Sequence, residues 1–269
     1  MSKPRPIISE MPRNLKQLIV DSADTKTKIA LRPVSNEFNG LVSRSQISYF
    51  QLLFKLGTDK RTATVMFAPF PGKTMQLMFI HKDNGYELKE LGSTRKLVIN
   101  ANFLEGAVNQ FVKVLKNPKV LIKQFELVFP GFHPGWEAVL KNKVLDRLKA
   151  FFASLAHPIR VRKLQLHCDT QHDILKVLPF LQSGTLEIIS LEKPRSDGIE
   201  CDLSEIAETE QWKSAKDLYM EGLEPLLQVE KWSHFRKTEV DIPELTVSRV
   251  KSIFNSFINS THISGSGVL

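Results

Sequence analysis

The sequence predicts an α/β chain: three short N-terminal helices, a short β-rich stretch, then an irregular solenoid of alternating strands and helices. Three observations predict it. Apolar residues from Met11 to Val42 recur at helical spacing. From Tyr49 to Leu91 the spacing shifts toward period two. From Arg95 onward strand-like and helix-like runs alternate, the pattern of parallel strands joined by crossovers. The resulting division is a flexible N-terminus at 1–10, a helical segment at 11–45, a β-rich connection at 46–94 and an α/β repeat domain at 95–269.

In the first segment Leu15, Leu18 and Ile19 follow Pro12, which suits a first helical turn. Ile29 to Leu31 form a second apolar run, which Pro33 ends because proline lacks the amide hydrogen a helix interior needs. Val34, Phe38, Leu41 and Val42 make one face of a third helix. Three such helices are too few to bury a large core and are expected to lean on a partner. Tyr49–Phe54, Thr62–Phe67 and Met75–Ile80 read as strands, separated by turn residues at Pro69, Pro71-Gly72 and Asp83-Asn84-Gly85.

Beyond these, strands are expected at Lys96–Asn100, Ile122–Phe129, Arg160–His167, Thr185–Leu191 and Thr238–Ile242. Helices are expected at Phe103–Lys116, Trp136–Leu155, His172–Leu181, Ser204–Met220 and Thr246–Ile258. Leu164-Gln165-Leu166 and the run Leu186–Leu191 follow the alternating leucine pattern of leucine-rich repeats, without its asparagine or cysteine at a steady offset. The expected solenoid is therefore leucine-rich-repeat-like but irregular, with Lys96–Asn100 as its first strand and helices on one side. A doubly wound sheet is the alternative, although no glycine-rich phosphate loop follows the first strand.

The 269 residues are 42% hydrophobic and 25% charged, as in folded domains. No apolar run approaches the ~18–20 residues of a membrane-spanning helix, and Met1 to Glu10 has no apolar run of a secretory signal. Cys168 and Cys201 cannot build a disulfide framework, so a reducing compartment, cytoplasm or nucleus, is expected. The formal charge of +8 is uneven: +8 over residues 1–96, +4 over 97–200 and −4 over 201–269. A basic excess admits nucleic acid or an acidic partner. The basic residues are scattered without a reader motif, so nucleic acid is the weaker expectation.

Two regions carry a family resemblance. Glu210-Gln211-Trp212-Lys213 with Ala215-Lys216, then His234-Phe235, then Leu245 to Val250 resemble the FTH domain, the F-box-associated domain of nematodes. The strand–helix–strand run Val161–Leu191 resembles the same domain. Met11-Pro12, Leu31-Arg32, Val34, Phe38 and Leu41-Val42 resemble a divergent F-box, with Ala23 and Thr25 where that family places larger apolar residues. The resemblance implies a substrate receptor of a cullin-type SCF ubiquitin ligase, a nematode F-box A-type protein. Its F-box would hold a Skp-type adaptor and its C-terminal domain an unknown target protein. The adaptor-binding residues it implies are Met11, Pro12, Leu15, Ile19, Leu31, Val34, Phe38 and Leu41. Target contacts are expected on the exposed side of two strands: Arg162, Gln165, His167, Glu187 and Ser190. An interaction module without ligase coupling and a basic nucleic-acid-binding protein are the alternatives.

Other chemistry is weaker. Phe67 to Thr74 ends like a phosphate-binding loop, but lacks the first glycine and has two prolines where amides would cradle phosphate. His167 and Cys168 are adjacent on a strand and face opposite ways, so with His172 they make a poor metal set. Neither His234 with Glu239 or Asp241, nor Cys168 with a histidine, comes with a nucleophile turn. Neither an enzyme, a cofactor nor a metal is expected. Trp212 is expected in the core.

Overall fold

The structure, a computed structural model, describes residues 10–94, 96–130, 136–193, 200–226, 231–240 and 251. It opens with α1 (Arg13–Ser22), α2 (Thr25–Leu31) and α3 (Asn36–Arg44). Side chains cap two of these starts. Asp24 accepts from the Thr27 amide at 2.6 Å and Ser35 from the Phe38 amide at 3.2 Å, occupying amides that have no partner within the helix.

Strands β1 (Ile47–Leu56), β2 (Thr62–Phe70), β3 (Lys73–Lys82), β4 (Gly85–Glu90) and β5 (Lys96–Ile99) follow as an antiparallel meander. Helix α4 (Phe103–Val112) then leads to β6 (Val120–Val128), which pairs in parallel with the free side of β1. Next come α5 (Trp136–Ser154), β7 (Arg160–His167), α6 (Gln171–Leu175) and β8 (Ile188–Glu192). The described elements end with β9 (Glu200–Asp202), α7 (Ser204–Ala207), α8 (Glu210–Ser214), β10 (Asp217–Glu221), β11 (Glu224–Leu226) and β12 (Lys237–Val240). Ten of these strands make one mixed sheet in the order β5-β4-β3-β2-β1-β6-β7-β8-β10-β12, with β9 and β11 paired separately.

The sheet departs from the expected solenoid at its start. Lys96–Ile99 does not neighbour β6; it is an edge strand, antiparallel to β4. Only a short loop follows Glu90 before Lys96, too few residues for the crossover a parallel pairing needs. Strand β1 takes the place beside β6, so the sheet runs unbroken across residue 95. The parallel, chain-order progression begins at β6.

Within the expected helix Ser204–Met220, the structure has two short helices and strand β10. His172–Leu181 breaks into α6 and a 3-10 turn at Leu178–Phe180, and Ser183–Thr185 is a 3-10 turn rather than strand. The expected helix Thr246–Ile258 lies, except for Lys251, outside the described residues, as do residues 1–9 and the end of the strand expected at Thr238–Ile242.

Strand register gives the sheet two chemically different faces. One row runs Val65, Phe54, Leu127, Leu166, Leu191, Met220 across six strands, every residue buried. Helices α4 and α5 lie on this face. The Phe111 ring of α4 meets Phe54 at 5.6 Å and Phe125 at 5.4 Å, and Phe152 of α5 meets Phe125 at 6.5 Å. Such ring pairs add ~0.5–1.5 kcal/mol each beyond burial. One residue along each strand, the opposite face carries Leu53, Glu126, Gln165, Ser190, Tyr219 and Glu239 side by side. Period two fixes this division: a side chain on one face has strand neighbours on the other.

Candidate functional sites

The first candidate surface is on the three-helix segment. Helix α3 turns Phe38, Leu41 and Val42 inward, where they join Val20 and Ile47 in the core at 8% exposure or less. Two buried lysines lock the segment in place. Lys16 on α1 reaches Glu37 on α3 at 2.9 Å. Lys28 on α2 donates to the carbonyls of Asp21 at 3.1 Å and Gln46 at 2.9 Å, tying α1, α2 and the entry to β1. Thr25 accepts from the Ser48 amide at 3.3 Å, so the small polar side chain at this position binds the segment to the sheet.

With the inner side of α1 taken by Lys16 and Val20, its outer side shows Leu15, Leu18 and Ile19 at 45%, 63% and 43% exposure. The spacing i, i+3, i+4 puts these three on one stripe. Val34, in the turn after α2, is 64% exposed. Pro12 is exposed, while Met11 and Leu31 are half-buried, Leu31 against the core.

The eight residues expected to bind an adaptor therefore do not share one surface. Phe38 and Leu41 are core residues: α3 packs against α1 and α2, and its inner side chains join the core together with Ile47 at the start of β1. Leu18, absent from that set, is the most exposed of the α1 stripe. Its helical spacing from Leu15 was the signal for it.

The second candidate surface is the polar face of the parallel strands. Gln51 and Gln124 both donate to Glu126 Oε1, the former at 2.5 Å. Gln165 donates to Glu192 Oε1 at 2.7 Å. His167 is engaged at both ring nitrogens, Nε2 with Glu192 at 2.9 Å and Nδ1 with the Phe129 carbonyl at 3.2 Å. Beside this ladder lies a hollow of about 420 Å³, with Ser190 beneath it and Lys163, Glu192, Tyr219, Glu221 and Glu239 around it. Lys237 pairs with Glu239 at 2.6 Å and stands 5.0 Å above the Tyr219 ring centre.

Of the five expected target contacts, Gln165, His167 and Ser190 come together here. Arg162 and Glu187 do not. Arg162 is an odd number of residues from Gln165, and Glu187 from Ser190, so they belong to the other face; Glu187 pairs with Lys216 at 3.3 Å. Lys163, Tyr219 and Glu239 are not among the expected contacts; Tyr219 falls in the expected helix Ser204–Met220, whereas Glu239 lies in the strand expected at Thr238–Ile242.

Cys168 is buried on the far side from His167. Burial, with Asp173 and Cys201 nearby, pushes its thiol well above the usual range. His172 is exposed, and no group of three metal-ligating side chains occurs among the described residues. Phe67 to Thr74 is the β2–β3 hairpin. It turns at Gly72, where φ is +82°. His234 contacts the Trp212 carbonyl at 3.0 Å and Phe235 at 4.1 Å; Asp241 lies outside the described residues.

The Glu-Gln-Trp-Lys run ties α8 to neighbouring segments. Gln211 donates to the carbonyls of Leu181 at 2.7 Å and Pro179 at 3.1 Å, and Trp212, fully buried, donates from Nε1 to the Lys231 carbonyl at 2.8 Å. No described helix is long and apolar enough to cross a membrane.

Residues 142–266 match the family model of the FTH domain. The chain is 24% identical over 246 residues to F-box A protein 224 of Caenorhabditis elegans, a match covering 89% of this chain and 60% of the relative. The chain thus spans about 60% of the length of that curated relative. No solved structure matches. Together the domain match and the relative support the resemblance drawn from the residues, to the nematode F-box A-type proteins with an FTH domain.

Proposed function

We propose that the chain is a protein-interaction adaptor that acts by binding rather than by catalysis. The stripe Leu15, Leu18 and Ile19 docks a Skp-type adaptor and through it a cullin. The polar face of the parallel strands recruits a target protein for ubiquitination. One observation carries this reading. Three large apolar side chains stay exposed on a helix whose other side is fixed by buried lysines, and exposed apolar patches mark interaction surfaces. The name of the F-box A relative supports it.

The test is co-expression with a Skp-type adaptor and measurement of the affinity of the purified pair. Leu18→Asp is expected to weaken it ~30-fold, the ~2 kcal/mol of a central interface residue, with the thermal melt unchanged. Unaltered affinity of a folded Leu18→Asp chain would remove the stripe as the docking surface. Phe38→Ala is unsuitable for this purpose, because it removes a core side chain.

A second reading, interaction without ligase coupling, is favoured by Ala23 and Thr25 standing where an F-box has larger apolar residues. Capture of peptides or proteins by a chain that binds no Skp-type adaptor would select it. The basic N-terminal third is expected to give only weak retention on DNA or RNA, lost between about 50 and 200 mM salt. Tight, sequence-selective retention would replace the adaptor reading with a nucleic-acid one.

A further inference from the structure

We propose that the hollow over Ser190 is a socket for one lysine or arginine side chain of the recruited target. The proposal rests on the polar face being the target-docking surface, and it names the chemistry that face reads.

The hollow exists because a small residue stands in a row of large ones. Gln165, Ser190, Tyr219 and Glu239 are direct neighbours across β7, β8, β10 and β12, and serine is the one that leaves space above it. At about 420 Å³ the opening falls within the range of small-ligand sites, ~300–1,000 Å³, and has room for a long side chain. Its floor is polar and unused. Ser190 is 7% exposed, and its hydroxyl has no hydrogen-bond partner among the described residues.

The walls select a cation. Three carboxylates, Glu192, Glu221 and Glu239, face Lys163 in the lining and Lys237 beside Glu239, for a formal balance of −1. Along the strands, Glu192 and Glu221 follow Ser190 and Tyr219 by two residues, and Lys163 precedes Gln165 by two. The hollow therefore has an acidic end and a basic end. Glu192 and Glu239 already hold His167 and Lys237, whereas the Glu221 carboxylate has no partner among the described residues.

The Tyr219 ring supplies an apolar wall for an aliphatic stem and a face for a cation. Lys237 already shows such a use, with its ammonium 5.0 Å from the ring centre and 2.6 Å from Glu239. A target lysine or arginine would lay its stem along Tyr219. It would donate hydrogen bonds to Glu221 and to the Ser190 hydroxyl, contacts of the charge-assisted kind.

The experiment is selection of displayed random dodecapeptides on the immobilised full chain, followed by affinity measurement on synthetic copies of the enriched sequences. Enriched peptides are expected to share a lysine or arginine whose replacement by norleucine weakens binding at least tenfold. Glu221→Gln is expected to weaken the same peptides at least tenfold. Ser190→Leu, which fills the floor, should abolish capture, and Glu221→Gln serves if that variant does not fold. Enrichment of no basic peptide, or affinities unmoved by Glu221→Gln, overturns the proposal. The wild-type chain is scored in parallel for a Skp-type adaptor. Adaptor binding without basic-peptide selection removes the socket alone, and the reverse removes the ligase coupling while supporting the socket.

Discussion

Asp173→Ala is expected to cost about 3–5 kcal/mol of stability, the range for breaking one side of a buried ion pair. Asp173 is 3% exposed and accepts from Lys141 Nζ at 2.6 Å. It also accepts from the Asp169 amide at 3.0 Å and the Thr170 amide at 3.4 Å, as the return arm of the capping box that starts α6. Removing it strands Lys141, itself 6% exposed, with Asp169 as its remaining carboxylate. Asp169 has a half-exposed side chain, so Asp169→Ala should cost under about 1 kcal/mol. Urea titration of the two variants checks the contrast. Equal losses would mean that burial does not set the strength of this cluster.

Bonding to Asp169 and Asp173 raises the Lys141 pKa above its ordinary 10.5 despite the opposing effect of burial. A raised folded pKa contributes stability that is complete below the unfolded pKa and fades as pH climbs through the folded value. The wild type should therefore lose this contribution only above about pH 10.5, and Asp173→Ala should show less of that alkaline loss.

The residues made the layout of the N-terminal helices and of β1 to β3 legible, because cap residues and turn signals stood next to clear periodicities. Arg160–His167 was legible to the residue. The region after Ser204 was not. Ile206, Ala207, Trp212, Ala215 and Leu218 fit a helical stripe, yet Leu218 and Met220 also alternate as in a strand. Short elements leave that choice open. Thr209 was the available signal. It caps α8 by accepting from the Trp212 amide at 3.3 Å, which marks a second helix start inside the supposed single helix. The place of β5 depended on loop length, since a five-residue connection closes a hairpin and leaves the crossover to α4.

For the two surfaces, the periodicity of α3 located an apolar face without saying what covers it. Phe38 and Leu41 are expected against a partner, while the protein's own core holds them. What covers them is the packing of α3 on α1 and α2, which no local pattern within α3 encodes. The polar face was half visible. Alternation along β7 and β8 gave Gln165, His167 and Ser190, but Arg162 and Glu187 break the period-two rule. Tyr219 could join only with β10 as a strand, and Glu239, in a strand already expected, only through the register of β12 against β10. The hollow itself follows from cross-strand register, which places the small Ser190 between Gln165 and Tyr219.

Trp212→Ala is expected to cost about 3–5 kcal/mol, as for other fully buried large aromatics. Trp212 is 0% exposed and meets Phe235 edge-on at 5.1 Å. Its Nε1 donates to the Lys231 carbonyl at 2.8 Å, and its own carbonyl receives His234 at 3.0 Å. It thus fastens α8 to the stretch that leads into β12, and β12 carries Glu239 of the hollow. Trp212→Phe keeps a ring against Phe235 but leaves the Lys231 carbonyl without its donor, so its cost should be nearer 1–3 kcal/mol. Chemical denaturation gives both values, and peptide affinity at low temperature, where the variants are folded, separates stability from recognition. If Trp212 is a clamp, Trp212→Phe binds basic peptides within a few-fold of wild type despite its lower stability. A Trp212→Phe chain as stable as wild type but without peptide affinity would instead make the tryptophan part of the recognition surface.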